Sequence, residues 1–255
     1  MQQMKDAIQA IGFDLSEKQI SKLYHFYQLV VEQNKVMNLT AIIEYKDFIR
    51  KHYLDSLSIV LLNSKSSFDI FSLFASGQKV LDLGTGAGFP GIPLAIVFPD
   101  AEFSLLDSLQ KRVRFLERAI AELNLSNVTA IHGRAEEFAR QSKYREQFDL
   151  CVSRAVANLS VLSEYALPFV KIGGTFISYK GADAKEEIEQ ASSAIKTVGG
   201  AINLIKTFTL PDPLSDSPDD ASSSEPDRTL VVLKKEKHTP KKYPRRAGTP
   251  AKQPL

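Results

Sequence analysis

Apolar residues recur along this chain in two rhythms, and the rhythm changes near residue 79. Before that point the spacing is helical. Ser16 and Gln19 have the separation of a capping box. Ile20, Leu23, Tyr24, Tyr27, Val30 and Val31 then return at intervals of three and four. A second helix is predicted over residues 45–62, with Phe48, Leu54 and Leu57 among its apolar positions. The segment has few glycines and no strand-like alternation, so residues 1–65 read as a small helical subdomain.

From residue 79 short apolar runs alternate with amphipathic stretches. The runs predict strands at 79–83, 102–107, 127–132, 148–153, 174–180 and 201–210. Helices are predicted at 93–98, 109–123, 159–170 and 185–198; the second carries Val113, Leu116, Ile120 and Leu123 on one face. Strands separated by helices imply parallel pairing in an α/β sheet covered on both faces. Residues 211–227 are rich in proline, serine and aspartate and read as an exposed acidic loop. The run R-T-L-V-V-L-K-K after it has no helix before it, so it is expected to form an antiparallel hairpin with the preceding strand. The second domain then spans 66–236, followed by a tail at 237–255.

Composition narrows the class. Of 255 residues, 44% are hydrophobic and 24% charged, the balance of an ordinary globular protein. No apolar run is long enough for a membrane span, and the N-terminus has no export signal. Cys151 is the only cysteine, so an intramolecular disulfide is impossible and a cytoplasmic location is expected. The net charge of +2 conceals an asymmetry. Residues 234–255 hold eight lysines and arginines against one acid, Glu236. Such a tail suits a polyanionic partner or is a solvated arm.

The chemistry centres on L-D-L-G-T-G-A-G-F-P-G, residues 81–91, between a strand and a helix. Ligands of open α/β sheets sit at the carboxyl ends of strands. Here the third glycine comes one position too early for the dinucleotide fingerprint, and Phe89 stands where that glycine would fall; no G-K-[ST] follows either. This weakens a nicotinamide oxidoreductase and disfavours a phosphate site. Gly84, Gly86 and Gly88 let the backbone approach a ligand closely. The Asp82 carboxylate would repel phosphate and suits an amino group. Asp107 ends the second strand, where an acid accepts from both ribose hydroxyls or simply caps the next helix. A nucleoside joined to a cationic amino acid satisfies all of these: S-adenosylmethionine.

The stretch D-L-G-T-G-A-G-F-P-G-I-P-L closely resembles the first motif of the ribosomal RNA small subunit methyltransferase G family, also called glucose-inhibited division protein B. N-L-T at 38–40, H-Y-L-D-S-L at 52–57, S-R-A-V-A at 153–157 and the tail K-K-Y-P-R-R-A-G-T-P-A-K-Q-P-L agree with it. The resemblance covers nearly the whole chain, the 211–227 loop least. It implies the fold of a class I S-adenosylmethionine-dependent methyltransferase: a Rossmann-like mixed sheet with its last strand antiparallel. It implies methyl transfer to N7 of one guanine in the decoding-region loop of 16S rRNA. It also implies that Gly84, Phe89, Ala135, Glu136 and Arg154 contact the cofactor. Each has a physical rationale and a plainer alternative. Phe89 shields the sulfonium or packs in the core. Glu136 reads adenine or favours a helix N-terminus. Arg154 meets RNA or the cofactor carboxylate, or forms a structural salt bridge.

Guanine N7 has a lone pair and needs no proton removed, so no catalytic acid or base is expected. Arg134, Lys180, Lys241, Lys242, Arg245 and Arg246 are candidates for phosphate contacts and Tyr243 for base stacking. Pro244 and Pro250 suggest an extended tail. His52, Asp55 and Ser56 are expected to hold the helical segment against the sheet rather than act directly. No metal site is expected with four histidines so dispersed. Asn38 and Thr40 are expected to cap or turn between the two N-terminal helices. The partner is 16S rRNA or the small ribosomal subunit, and the chain is expected to act as a monomer. Two other readings remain open: a methyltransferase acting on a small molecule or protein, and a non-catalytic RNA-binding assembly factor.

Overall fold

The computed structural model describes residues 1–63, 69–154, 156–212 and 227–255. Residues 213–226 of the expected acidic loop, and the boundary drawn at residue 65, lie outside the described residues.

The N-terminal region is helical, with α1 at Gln2–Ala10 and α2 at Glu17–Asn34. Both halves of the capping box are present at Ser16 and Gln19. Helix α2 buries Ile20, Leu23, Phe26, Leu29 and Val30, so its inner stripe centres on Phe26. Residues 45–62 run as one helical rod, α3. It is α-helical at Tyr45–Phe48, π-helical at Ile49–Leu54, α-helical at Asp55–Leu57 and 3-10 at Ser58–Leu62. In the sharp turn before it, Asn34 accepts from the N–H groups of Leu39 and Thr40, and Thr40 Oγ1 accepts from Ile42.

Among the described residues seven strands follow: β1 (Lys79–Leu83), β2 (Glu102–Asp107), β3 (Val128–His132), β4 (Phe148–Arg154), β5 (Val170–Gly181), β6 (Gly200–Phe208) and β7 (Arg228–Lys235). They form one sheet in the order β3-β2-β1-β4-β5-β7-β6. The first five pair in parallel, while β7 is antiparallel to both neighbours. The expected hairpin with β6 forms, and β7 also inserts against β5. Its residues Thr229–Leu233 are buried, as an interior strand requires.

Among the described residues six α-helices accompany the strands: α4 (Gly91–Val97), α5 (Gln110–Glu122), α6 (Ala135–Phe138), α7 (Leu159–Ala166), α8 (Lys185–Thr197) and α9 (Thr249–Lys252). The helix expected over 159–170 stops at Ala166, because Pro168 has no N–H to extend the ladder. Strand β5 begins at Val170, four residues earlier than expected. It passes through Gly173 (φ +79°) and a register shift against β4, so the glycine pair read as a strand boundary is an irregularity inside the strand.

Strand alternation sends Val80 and Asp82 to one face and Leu81 and Leu83 to the other. On the first face Val80, Leu105 and Val152 share one apolar cluster with Met4, Leu23, Phe48, Leu54 and Leu116. The N-terminal helices therefore cover this face of the sheet as part of its own core. On the second face Leu81, Cys151, Phe176 and Leu233 pack against Leu162 of α7 and Ile195 of α8.

Candidate active site

The strand-to-helix loop after β1 turns through Gly84 (φ +70°), Gly86 (φ +60°) and Gly88 (φ +101°), a left-handed run that favours glycine. Its amide hydrogens are directed inward. Gly84 and Thr85 donate to Leu106 O, Gly86 to Asp107 Oδ2 (2.9 Å), Gly88 and Phe89 to Thr85 O, and Gly91 to Asp82 Oδ2 (2.8 Å). The loop has little left with which to cradle a phosphate, in keeping with its departure from the dinucleotide pattern.

Asp82 acts from behind the loop. It is fully buried on the α4 side and takes hydrogen bonds from Thr85 Oγ1 (2.6 Å) and Gly91 N–H. A side chain at Gly91 would collide with Leu105 and with this carboxylate. Burial pushes the Asp82 carboxyl up to about 6, against the two hydrogen bonds and Arg154, which favour the charged form. Its Oδ1 has no partner among the described residues.

In front of the loop, at the carboxyl ends of β1, β2 and β3, lies a cavity of about 240 Å³. Gly84, Asp107, Arg134, Ala135 and Glu136 line it, together with Val156 and Tyr165. Asp107 is 4% exposed; its Oδ2 accepts from Gly86 N–H (2.9 Å) and Arg112 Nη1 (3.5 Å) and its Oδ1 from Leu109 N–H. Oδ1 retains a lone pair, and the Arg112 contact at Oδ2 is long enough to exchange, which suits hydroxyl donors. Tyr165 stays protonated: burial first, then Glu136 and Glu164, push its phenol up to about 12.

The tail is folded onto this cavity. Gly248 and Ala251 form part of the wall, and Gly248 N–H donates to Glu136 Oε1 (2.9 Å). Arg245 grips Glu164, which is fully buried, through its backbone N–H, Nε and Nη2. Arg140 and Arg145 bind the carbonyls of Thr239, Lys242, Tyr243 and Pro244. The Tyr243 ring is buried in the core of the second sheet face. Lys235 is buried too, donating to Leu167 O and Thr239 Oγ1 and facing Glu146. The expectation of a solvated or extended arm is thus corrected. Carboxylates and arginines of the folded domain hold the tail in place.

A second cavity, of about 380 Å³, opens at the ends of β4 and β5. Arg154 lies here. Its Nη1 donates to Asp55 Oδ2 (2.6 Å) and Lys51 O (3.0 Å), and its Nη2 faces His52 Nδ1 (3.1 Å). Since a guanidinium only donates, Nδ1 is the acceptor, and the His52 proton sits on Nε2, directed at Thr40 Oγ1 (2.9 Å). Burial and then the Arg154 charge lower the His52 pKa to about 3, so the ring is neutral. Asp55 Oδ1 takes Arg228 Nε (2.8 Å), and Tyr179 donates to Ser56 O. His52, Asp55 and Ser56 therefore bind α3 to the sheet, as expected. Phe89 stacks on His52 (4.3 Å, 9°) beneath the Arg154 guanidinium, within the apolar cluster under the helical segment.

Residues 19–213 match the family model for rRNA small subunit methyltransferase G, GidB. The chain belongs to this family. The ribosomal RNA small subunit methyltransferase G of Lachnoclostridium phytofermentans is 46% identical over 248 residues, covering 97% of this chain and 94% of that one. The protein of the same name in Brevibacillus brevis is 42% identical over 254 residues, covering 100% and 98%. A Galdieria sulphuraria protein assigned as a sarcosine dimethylglycine methyltransferase superposes with a TM-score of 0.53 at 14% identity, covering 85% of this chain and 98% of that one. That likeness is one of fold. The protein is a methyltransferase with the class I methyltransferase architecture.

In this methyltransferase the sequence-predicted residues fall into three groups. Gly84, Ala135, Glu136, Asp107 and Arg134 meet at the first cavity. Asp82, Gly86, Gly88 and Phe89 shape the loop behind it, and Arg154 lines the neighbouring cavity. Lys180 is held by Ala157 O and Glu187, whereas Lys241, Lys242 and Arg246 remain exposed. Sequence reasoning missed Tyr165 and Arg228, which have no motif spacing to betray them, and gave no role to Val156, Gly248 and Ala251 although they lie within the S-R-A-V-A and tail motifs. Among the described residues no helix is long and apolar enough to cross a membrane, and no group of three or more potential ligands could hold a metal.

Proposed function

We propose that this methyltransferase transfers the methyl group of S-adenosylmethionine to N7 of a guanine in the 16S rRNA of the small ribosomal subunit, acting as a monomer. The relatives' names support the substrate, and the first cavity fits the cofactor. At Gly86, with φ +60°, no atom lies within 4 Å of where a Cβ would stand, so the loop leaves open space for a ligand. The Asp107 carboxylate, with a lone pair open at Oδ1 and an exchangeable Arg112 contact at Oδ2, suits the ribose hydroxyls, and Ala135 with Glu136 suits the adenine edge. Gly84, on the same wall, would meet the amino-acid end. When bound, S-adenosylmethionine supplies an electrophilic methyl on a sulfonium.

The observation that carries the N7 assignment is the commitment of the ionisable groups around the exit of β4. His52 is neutral with both nitrogens engaged, Asp55 is gripped by two arginines, Asp82 is sealed behind the loop, and Lys180 is paired. None stands ready to take a proton, and N7 has none to give. The chain's contribution is orientation and exclusion of water. The target base must leave its stack or be unpaired to reach the site. Arg134, Lys241, Lys242 and Arg246 supply phosphate contacts. Tyr243, Arg245 and Lys180 contribute through the fold that carries these groups.

The test uses purified protein, labelled S-adenosylmethionine and small subunits from cells lacking the gene, with base-resolution mapping of the product. Label at N7 of one 16S guanine is expected. Cofactor binding without label in subunits or free 16S rRNA refutes the rRNA assignment.

A further inference from the structure

Methyl transfer needs the acceptor atom within about 3–3.5 Å of the methyl carbon. The acceptor must therefore arrive through space that adjoins the first cavity. Val156 lines that cavity and Arg154 lines the second. Two residues of chain span at most about 7 Å, so the exit of β4 is a wall common to both. A third cavity, lined by Lys18, Pro99 and Asn127, lies at the amino-terminal ends of β2 and β3, on the far side of the sheet. A fourth, between Arg134 and Arg246, adjoins the first at Glu136, the end away from β4.

We propose that the second cavity is the acceptor site, taking the sugar-phosphate of the RNA nucleotide whose base is methylated, with Lys51 and Arg228 as contacts to it. This rests on the reading of the protein as an rRNA methyltransferase. The cavity is lined by Lys51, Arg154, Lys180 and Arg228 against one carboxylate, Asp55. That carboxylate is already occupied at both oxygens, by Arg154 and Arg228. Lys180 is held by Glu187, so what faces an incoming ligand is the unspent donor hydrogens of Arg154 and Arg228 and the exchangeable charge of Lys51, which suit a phosphate diester. About 380 Å³ is within the range of small-molecule sites and accommodates a nucleotide.

The donors are held before the ligand arrives. Arg154 is fixed by Lys51 O, Asp55 and His52, and Arg228 by Asp55 and its own neighbour's carbonyl, Asp227 O. Ordering them costs little on binding. Lys51 pairs with Asp47 across a half-exposed surface, an exchangeable contact. The rim is apolar: Ile42 lines the cavity, Ile43 beside it is 48% exposed, and Val156 on the common wall is 40% exposed. A base turned toward the first cavity would pass over these side chains.

The experiment measures KM for small subunits, its salt dependence, and the Kd of S-adenosylhomocysteine by calorimetry. The variants are Lys51→Glu, Arg228→Gln and, as a control at the far end of the sheet, Lys18→Glu. Lys51→Glu and Arg228→Gln are expected to raise KM about tenfold, reducing the log–log salt slope by about one for each cation lost. S-adenosylhomocysteine affinity stays within about twofold, and Lys18→Glu matches wild type. If Arg228→Gln lowers the melting temperature, the surface variant Lys51→Glu decides. Wild-type KM and salt slope in Lys51→Glu, with the parent enzyme methylating rRNA normally, overturn the acceptor site and leave the function standing. A parent enzyme that binds S-adenosylhomocysteine but methylates no rRNA overturns the function, and the acceptor site with it.

Discussion

Arg245→Ala tests whether the tail is part of the cofactor site. Glu164 is completely buried, and both its oxygens are taken by Arg245, at 2.6–3.1 Å. Removing one partner of a buried ion pair typically costs about 3–5 kcal/mol, because the remaining charge is left without a counterion. The chain can avoid that cost only by letting water reach Glu164, which requires residues 245–251 to lift off. Lifting breaks the Gly248–Glu136 hydrogen bond and removes Gly248 and Ala251 from the cavity wall. If this uncovers on the order of 50 Å² of bound ligand, at about 25 cal/mol per Å² the loss is ~1.3 kcal/mol, or roughly tenfold in affinity. The assays are calorimetric titration with S-adenosylhomocysteine and limited trypsin digestion at Arg246 and Lys252, both exposed. Expected are a tenfold higher Kd, rapid loss of the C-terminus, and protection of the wild-type tail by ligand, since coupling between two events is reciprocal. The double variant Glu164→Gln, Arg245→Met, which removes both charges, should recover most of the tail's protease resistance. Unchanged Kd and an intact tail in Arg245→Ala would refute the reasoning.

Three further outcomes are expected. The His52 pKa, lowered to about 3 in the fold, means the native state binds fewer protons than the unfolded chain below pH 6.5, so stability is full above that pH and lost toward pH 3. Asp82, raised to about 6, has the opposite sign and loses stability as pH rises from 3.8 to 6, so the two offset over that interval and the acid loss emerges below it. Urea titrations should show the advantage of wild type over His52→Gln shrinking by up to about 1.4 kcal/mol per pH unit on acidification. Gly91→Ala should destabilise by several times more than Gly86→Ala, measured by urea unfolding, because the first meets Leu105 and Asp82 whereas the second meets open space and costs only about 1–2 kcal/mol of left-handed backbone strain. Asp107→Ala should weaken S-adenosylhomocysteine binding at least tenfold while leaving RNA affinity unchanged in a filter-binding assay, since it removes both the diol acceptor and the brace on Gly86.

Much of this arrangement was legible in the sequence because it is written in local rules. The sheet strands announce themselves as apolar runs, and β7 reads as antiparallel because no crossover helix precedes it. The glycine loop is legible because positive φ at three positions favours glycine whatever surrounds it. Asp107 was found by its distance from that loop. Glu136 was found through the family resemblance, and the cavity brings the two together.

What escaped depends on partners distant in sequence. A basic, proline-containing tail looks the same whether it is solvated, bound to RNA or docked on its own domain. The difference lies in Glu164, Glu146, Arg140 and Arg145, some 81–104 residues away, and no spacing rule links them to it. The charge that suggested a polyanion partner is partly consumed inside the fold. Lys235 is buried among Leu167, Thr239 and Glu146, and Arg245 answers Glu164. Asp82 shows the same limit at short range. Its sequence position beside the glycines suggested a ligand contact, yet the two-residue period of β1 turns it away from the first cavity and under α4. A carboxylate in that place fixes the loop's shape, and the ligand is met by Asp107 on the next strand. The same logic distributes the basic residues. Those that hold the tail cannot also follow an RNA, so its exposed cations, Lys237, Lys241, Lys242, Arg246 and Lys252, together with the β4–β5 cavity, are where a polyanion has charge left to meet.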